Sequence, residues 1–385
     1  MTIEDRVTQK PLRVCYFGTY RAGYTRNQIL IAGLRGREHV QLTECHASLW
    51  RGIEDRVKQA SGGWRHPRFW LRVLSAYWRL FREHNKTKPY DVMLIGYPGQ
   101  FDSYLGRILS WWRRRPMALD ILMSLHLVAE ERGLTRKSPM SGRLIYLLEK
   151  GGLNLPDLLI SENSAYEGYY CQKFGLAPEK FERVPHGADE RIFHPRPVTL
   201  DDDRFYVTYH GTYLPSHGLD AVIGAAVLLR ERPDICFHFF GTGPDKIRME
   251  QIAADEKLDN VVFHGFVSQD ELLDHLAGSH ICLGVFGETK QSHFTIQNKV
   301  WEGLAMGRAV ISGDSKVVRE SLQDKREIYL VQRNSPQALA MGIVTLQADP
   351  GLREQIARAG HERYLRGNSI AAIGADMEKA LRTLV

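Results

Sequence analysis

Short apolar runs alternate along the chain with stretches of helical length, in which apolar residues recur every three or four positions. The runs at 12–18, 91–97, 117–122 and 157–161 predict strands in the first half. Those at 205–211, 235–241, 260–265, 280–286 and 308–313 predict strands in the second. Most are continuously apolar and end in glycine or a polar residue, as do parallel strands covered on both faces. Helices between them give the alternation of open α/β sheets. Two prolines (Pro195, Pro197) and the acidic run Asp201–Asp203 interrupt the pattern, so a domain boundary is expected near residue 198. After residue 350 the pattern changes to two helices, 350–365 and 369–384, with no strand between them. This tail is expected to pack back across the first domain.

Composition changes this picture in one respect. The net charge of +6 is unevenly placed: residues 1–115 hold 21 Lys/Arg against 9 Asp/Glu, which leaves the remainder acidic. Trp50, Trp64, Trp70, Trp78, Trp111 and Trp112 lie in the same basic stretch. Basic plus aromatic suits a surface that meets an anionic membrane better than one that meets nucleic acid, since no recognised nucleic-acid module accompanies the charge. A helix is expected over 64–83, with Trp70, Val73, Leu74, Tyr77, Leu80 and Phe81 on one face and Arg65, Arg68, Arg72, Arg79 and Arg82 on another. No apolar run approaches the ~20 residues of a spanning helix. The start is too polar for a secretory signal. The five cysteines are scattered without C-x-x-C spacing and read as free thiols of a reducing compartment. A cytoplasmic protein, peripheral on the inner face of the plasma membrane, is the expectation.

Three loops of the second half follow strands and precede helices, where open α/β sheets bind ligands. They are His210-Gly211-Thr212-Tyr213-Leu214-Pro215-Ser216-His217-Gly218, then Phe240-Gly241-Thr242-Gly243-Pro244, then the segment from Phe294 to Gly307 containing Asn298-Lys299-Val300-Trp301-Glu302. Between the last two stands His264-Gly265-Phe266-Val267. In this order the pieces resemble the donor domain of family-4 GT-B glycosyltransferases. Val184-Pro185-His186-Gly187-Ala188-Asp189 with Phe193-His194-Pro195, and the opening Phe17-Gly18-Thr19-Tyr20, resemble that family's interdomain stretch and first loop.

The resemblance implies a GT-B fold: two doubly wound Rossmann-like domains facing each other across a cleft. The acceptor-binding domain would span 1–197 and the nucleotide-sugar donor-binding domain 198–365, with 366–385 as the returning helix. It implies transfer of a sugar from a nucleotide sugar, with retention, to a membrane-associated, polysaccharide or lipid-linked glycan. By the same resemblance Glu302 would hold the ribose hydroxyls, and the backbone of Asn298, Lys299 and Val300 would face the diphosphate. Phe266 and Val267 would read the base edge, and Gly241 and Gly243 would pack close to the nucleotide. Gly211 and Gly18 would let their loops approach the donor, Gly18 from the opposite domain.

The chain departs from the family pattern at three positions. Phe294 stands where many members carry a first glutamate, eight residues before Glu302. Thr212 and His217 stand where many carry Arg and Lys, which leaves Lys299 to balance the diphosphate. His217 is expected to gain charge only below about pH 6.5. Asp120, at a strand end, is the candidate acid–base residue beside Lys299, and His126 follows six residues later. No cofactor is expected beyond the nucleotide sugar, and no metal. The Asp201–Asp203 run reads as a solvated linker cluster. The competing classes are a nucleotide-sugar epimerase, a non-catalytic sugar-nucleotide or membrane scaffold, and a nicotinamide-dependent dehydrogenase. The first turn, Gly18-Thr19-Tyr20-Arg21-Ala22-Gly23, lacks the G-x-G-x-x-G spacing of the last.

Overall fold

The computed structural model describes residues 10–49, 66–198 and 203–385. Trp50, Trp64, Arg65, Asp201 and Asp202 lie outside the described residues. The chain divides into two units: residues 1–186 with 370–385, and residues 187–369.

The first unit is built on a six-stranded parallel sheet in the order β2-β1-β3-β4-β5-β6. Its strands are β1 (Leu12–Gly18), β2 (Val40–His46), β3 (Val92–Ile95), β4 (Met117–Asp120), β5 (Leu158–Ser161) and β6 (Phe181–Arg183). The strands β1, β3, β4 and β5 are buried almost throughout, as their unbroken apolar composition requires. Helix α1 (Thr25–Arg35) covers one face; α2 (Pro67–Lys86) and α3 (Asp102–Trp112) also belong to this unit. The last helix of the chain, which is α7 (Ile370–Arg382), completes this core with Ile373, Met377, Ala380 and Leu381.

The second unit holds β7 (Phe205–His210), β8 (Ile235–Phe240), β9 (Val261–Gly265), β10 (Ile281–Leu283), β11 (Ala309–Gly313) and β12 (Tyr329–Val331). All are parallel, in the order β12-β11-β10-β7-β8-β9. The order reverses between β7 and β10, and the loops leaving the carboxyl ends of these two strands border the crevice in which open α/β sheets hold ligands. Helices α4 (Leu219–Leu228) and α5 (Asn298–Ala305) start from that end. Helix α6 (Pro350–Gly367) precedes α7.

The units divide at 186/187, not near residue 198. The intervening residues are held by the second unit: Tyr364 Oη on α6 donates to the Ala188 carbonyl at 3.0 Å, and Arg196 pairs with Asp274 at 2.8 Å. The prolines and the acidic run place the crossing near residue 198, but contacts, not composition, decide it. The second crossing falls at 369/370.

Candidate functional site

Three glycine-bearing loops meet at the carboxyl end of the second sheet. Gly211, directly after β7, has φ +124°, and Gly241, directly after β8, has φ +112°; neither suits a residue with a side chain. A Cβ on Gly241 would collide with the Gly211 carbonyl, so the two loops touch backbone to backbone. The Gly211 N–H donates to Phe240 O at 3.0 Å, and the Gly241 N–H to Gly265 O at 2.6 Å. A Cβ on Gly243 would stand 2.5 Å from Tyr213 N. The loops after β7, β8 and β9 are thereby fixed to one another before any ligand arrives.

Onto this platform α5 brings two charged side chains. Lys299 is 5% exposed. Its Nζ donates to Tyr209 Oη and to His217 Nδ1, both at 3.0 Å, and stands 4.2 Å from the Tyr209 ring centroid. Tyr209 Oη, on β7, donates in turn to the Thr212 carbonyl at 3.0 Å. Nζ lies 3.2 Å from the point a Cβ on Gly211 would occupy, so the glycine makes room for the ammonium. Burial lowers the Lys299 pKa to about 7, against the opposing influence of Glu302. Burial, and then the neighbouring Lys299, hold the His217 imidazole well below its ordinary range. The expectation that His217 charges below about pH 6.5 is therefore corrected: it accepts a hydrogen bond as a neutral ring.

Glu302, one turn further along α5, is held by His210. The His210 Nε2–Glu302 Oε2 separation is 2.6 Å, with side chains 5% and 12% exposed. Among the described residues His210 Nδ1 has no hydrogen-bond partner. Asn298 and Lys299 open α5 after Gln297. The amino end of α5 carries the positive end of the helix dipole, which suits an anion, but the Val300 N–H is already taken by the Gln297 carbonyl at 2.9 Å, so the expectation that its amide faces the diphosphate is corrected. Val300 is turned inward and buried. Beyond β9, Phe266 is 90% exposed and Val267 half-buried, next to Gly265 at φ +71°. The structure thus brings together Gly211, Thr212, His217, Gly241, Gly243, Lys299 and Glu302. His210 and Tyr209 are the additions that sequence reasoning missed. A histidine closing a strand just before a glycine loop was the available signal.

The first-unit candidates behave differently. Asp120 is wholly buried and bound by Arg26, which is equally buried: Nη2 stands 2.8 Å from Asp120 Oδ1, and Nε bonds both oxygens at 3.2 Å. The same guanidinium donates to the carbonyls of Val184 and Pro185. A carboxylate so fully engaged fastens α1 to β4 and the chain after β6. The acid–base expectation for Asp120 is corrected to this structural role. His126 lies in the first turn of a short helix (Leu125–Glu131) and faces Glu130 at 3.6 Å. Gly18 has φ +133°, and a Cβ there would stand 2.7 Å from Asp102 Oδ2. Asp102, in the first turn of α3, accepts from Thr19 N at 2.6 Å and from Thr19 Oγ1. The bare α-carbon of Gly18 thus admits a carboxylate of its own unit.

Residues 204–349 match the family described as Glycosyl transferases group 1. No curated protein matches the chain. Among solved structures, sucrose-phosphate synthase from Thermosynechococcus elongatus superposes with TM-score 0.69 at 17% identity, over 98% of this chain and 99% of its own. Anabaena HepE in complex with UDP gives 0.68 at 16% identity, over 98% and 100%. A glycosyltransferase from Rickettsia africae gives 0.67 at 12% identity, over 98% and 99%. The fold is that of the GT-B enzymes, two Rossmann-like α/β units. With the group 1 match across the second unit, the protein is a glycosyltransferase.

Proposed function

We propose that this glycosyltransferase takes its sugar from a nucleoside diphosphate sugar held by the loops of the second unit. On this reading Glu302, aligned by His210, accepts the ribose hydroxyls. Lys299 and the amino end of α5 meet the diphosphate, and Phe266 and Val267 lie against the base. The observation that carries it is the joint placement, at the β7/β10 switch point, of the His210–Glu302 pair and the buried Lys299 beside Gly211. A carboxylate suits a vicinal diol, and a desolvated ammonium beside helix amides suits a leaving diphosphate. Support comes from HepE, whose solved complexes include UDP and UDP-glucose. The family-4 resemblance adds retention at the anomeric carbon. We take the acceptor to be a membrane-associated or lipid-linked glycan bound by the first unit. A cytoplasmic location fits the free cysteines, of which Cys45 and Cys282 are pushed up to about 12 by burial.

A thermal-shift series with UDP, GDP, ADP and their sugars identifies the donor. Glu302→Ala is expected to abolish the stabilisation by the true donor while the ligand-free melting temperature stays near wild type. Donor binding by that variant as tight as wild type would remove the site assignment.

A further inference from the structure

The sequence pattern predicts one apolar face for helix α2; the helix carries two. Ala76, Leu80 and His84, four residues apart, are buried against the first unit. On the opposite side Leu71, Leu74 and Trp78 are 65%, 63% and 60% exposed. Burial of the inner stripe accounts for the helix; among the described residues nothing in the unit's own packing accounts for the outer one. Helix α3 repeats the arrangement: Gly106, Leu109 and Ser110 turn inward, while Ile108, Trp111 and Trp112 are 63%, 67% and 66% exposed. The two outer stripes are continuous. Phe81 stacks on Trp78 at 5.7 Å and on Trp112 at 6.2 Å, so one aromatic strip crosses from α2 to α3. Contiguous apolar surface on this scale marks an interaction site.

The charge beside the strip identifies what it meets. Arg68, Arg79 and Arg82 follow the outer stripe on the next sector of α2, and Arg114 follows Trp112; all are exposed. The exposed carboxylate of these helices, Glu83, is paired with Lys86 at 2.9 Å. A second copy of the chain laid on this face about a two-fold axis would set arginine against arginine. A bilayer has no such conflict. Tryptophan rings settle at the headgroup level, aliphatic side chains enter the acyl boundary, and guanidinium groups reach anionic phosphates.

We propose that the outer face of α2 and α3 is a docking surface for an anionic lipid bilayer. The same helices hold the first loop of the unit. Asp102 in α3 binds Thr19, and Tyr77 in α2 donates to the Phe101 carbonyl at 3.1 Å. The loop lies within ~15 Å of Trp112 measured along α3, ten residues at 1.5 Å each. Docking there brings Gly18 and Thr19 to the level of a membrane-borne acceptor. The docking itself is independent of the donor reading.

The test uses the full chain in sedimentation with vesicles of phosphatidylcholine alone or enriched in phosphatidylglycerol. Wild type is expected to sediment with the anionic vesicles, to be released by high salt, and to bind neutral vesicles at least ~tenfold more weakly. The triple variant Trp78→Ser, Trp111→Ser, Trp112→Ser should lose most of the binding, as should the pair Arg79→Glu, Arg82→Glu. Both should keep the wild-type melting temperature and its shift with the nucleoside diphosphate, of UDP, GDP and ADP, that stabilises wild type, which separates loss of docking from loss of fold or of the donor site. Equal binding to both vesicle types, or a tryptophan variant that sediments like wild type, overturns the proposal. So does self-association of the free protein, by analytical ultracentrifugation, that the tryptophan variant abolishes, because the face would then belong to a second copy.

Discussion

An ammonium buried until its pKa reaches about 7 is balanced between its two forms at neutral pH, and on the donor-site reading proposed above a bound diphosphate would tip it. Binding at pH 8 is therefore expected to draw a proton onto Lys299, because the bound anion raises the pKa that burial had lowered. Calorimetry in two buffers of unlike ionisation enthalpy, with whichever nucleoside diphosphate the thermal-shift series selects, measures the uptake, and Lys299→Met should abolish it. That variant should lose more than tenfold in kcat/KM, above ~1.4 kcal/mol of transition-state stabilisation. Its ligand-free melting temperature should not fall, since an apolar side chain replaces a desolvated charge. Proton uptake that persists in Lys299→Met would assign the titration elsewhere. Lys299 and Glu302 were legible because both stand in one helix, three residues apart. Their partners were not: His210 is 92 residues from Glu302, and Tyr209 is 90 from Lys299. Likewise Asp102, 83 residues from Thr19, gave no local sign that it would claim the space left by Gly18.

Among elements, the nine predicted strands all form, most of them a residue or two shorter at one end or both, and β10 three shorter at its carboxyl end. The three that the pattern did not reveal, β2, β6 and β12, each close an edge of a sheet. An edge strand is covered on fewer sides, and β2 and β6 alternate or expose their residues, so neither shows a buried run. The tail helix has the opposite character, for its contact is close and specific. Gly33 of α1 meets Gly374 of α7 so closely that a Cβ on Gly33 would stand 2.7 Å from Ile370 O and 2.8 Å from Gly374 Cα. Arg37 pairs with Glu378 at 2.7 Å beside this crossing. Gly374→Leu should therefore force the helices apart and expose Ile373 and Met377, costing about 1–3 kcal/mol or more in overpacking. Thermal denaturation reads the effect, and Ala375→Ser, next to the crossing, serves as the control. An unchanged melting temperature for Gly374→Leu would show that α7 is not packed as described.

Over the whole molecule, the two units differ in the buried groups that titrate near neutral pH: carboxyls lead in the first and a lysine in the second. In the first, burial raises Asp102 to about 6, Glu149 to about 7 and Glu162 to about 8. Glu149 is hydrogen-bonded by Ser124, Leu125 and His126, which favour its charged form, yet burial outweighs them. Glu162 is influenced most, after burial, by the Arg26 charge, and its Oε2 lacks a hydrogen-bond partner among the described residues. A carboxyl whose folded pKa lies above its unfolded value binds more proton folded than unfolded. Its stabilisation is complete below about pH 4 and is lost as pH rises through the folded value. Asp91, lowered to about 2 chiefly by its hydrogen bond from Arg13, runs the other way, but its contribution is complete above about pH 4. His84, lowered to about 4 by burial, and His126, also lowered by burial, run the other way as well, but only up to their ordinary value near pH 6.5, and the three carboxyls outweigh them. Lys299, in the second unit, is lowered from 10.5 to about 7, so the unfolded chain binds more proton there and stability rises from pH 7 upward. The units should consequently respond to alkali in opposite senses. Between pH 5 and 8 the first unit loses stability, at up to ~1.4 kcal/mol per pH unit for each proton involved. Scanning calorimetry across that range should show the transition of the first unit moving down. Glu162→Gln, which cannot ionise, should flatten the movement most between pH 6 and 8. A Glu162→Gln profile parallel to wild type over those two units would mean that Glu162 is ionised in the folded protein and that Arg26, not burial, governs it.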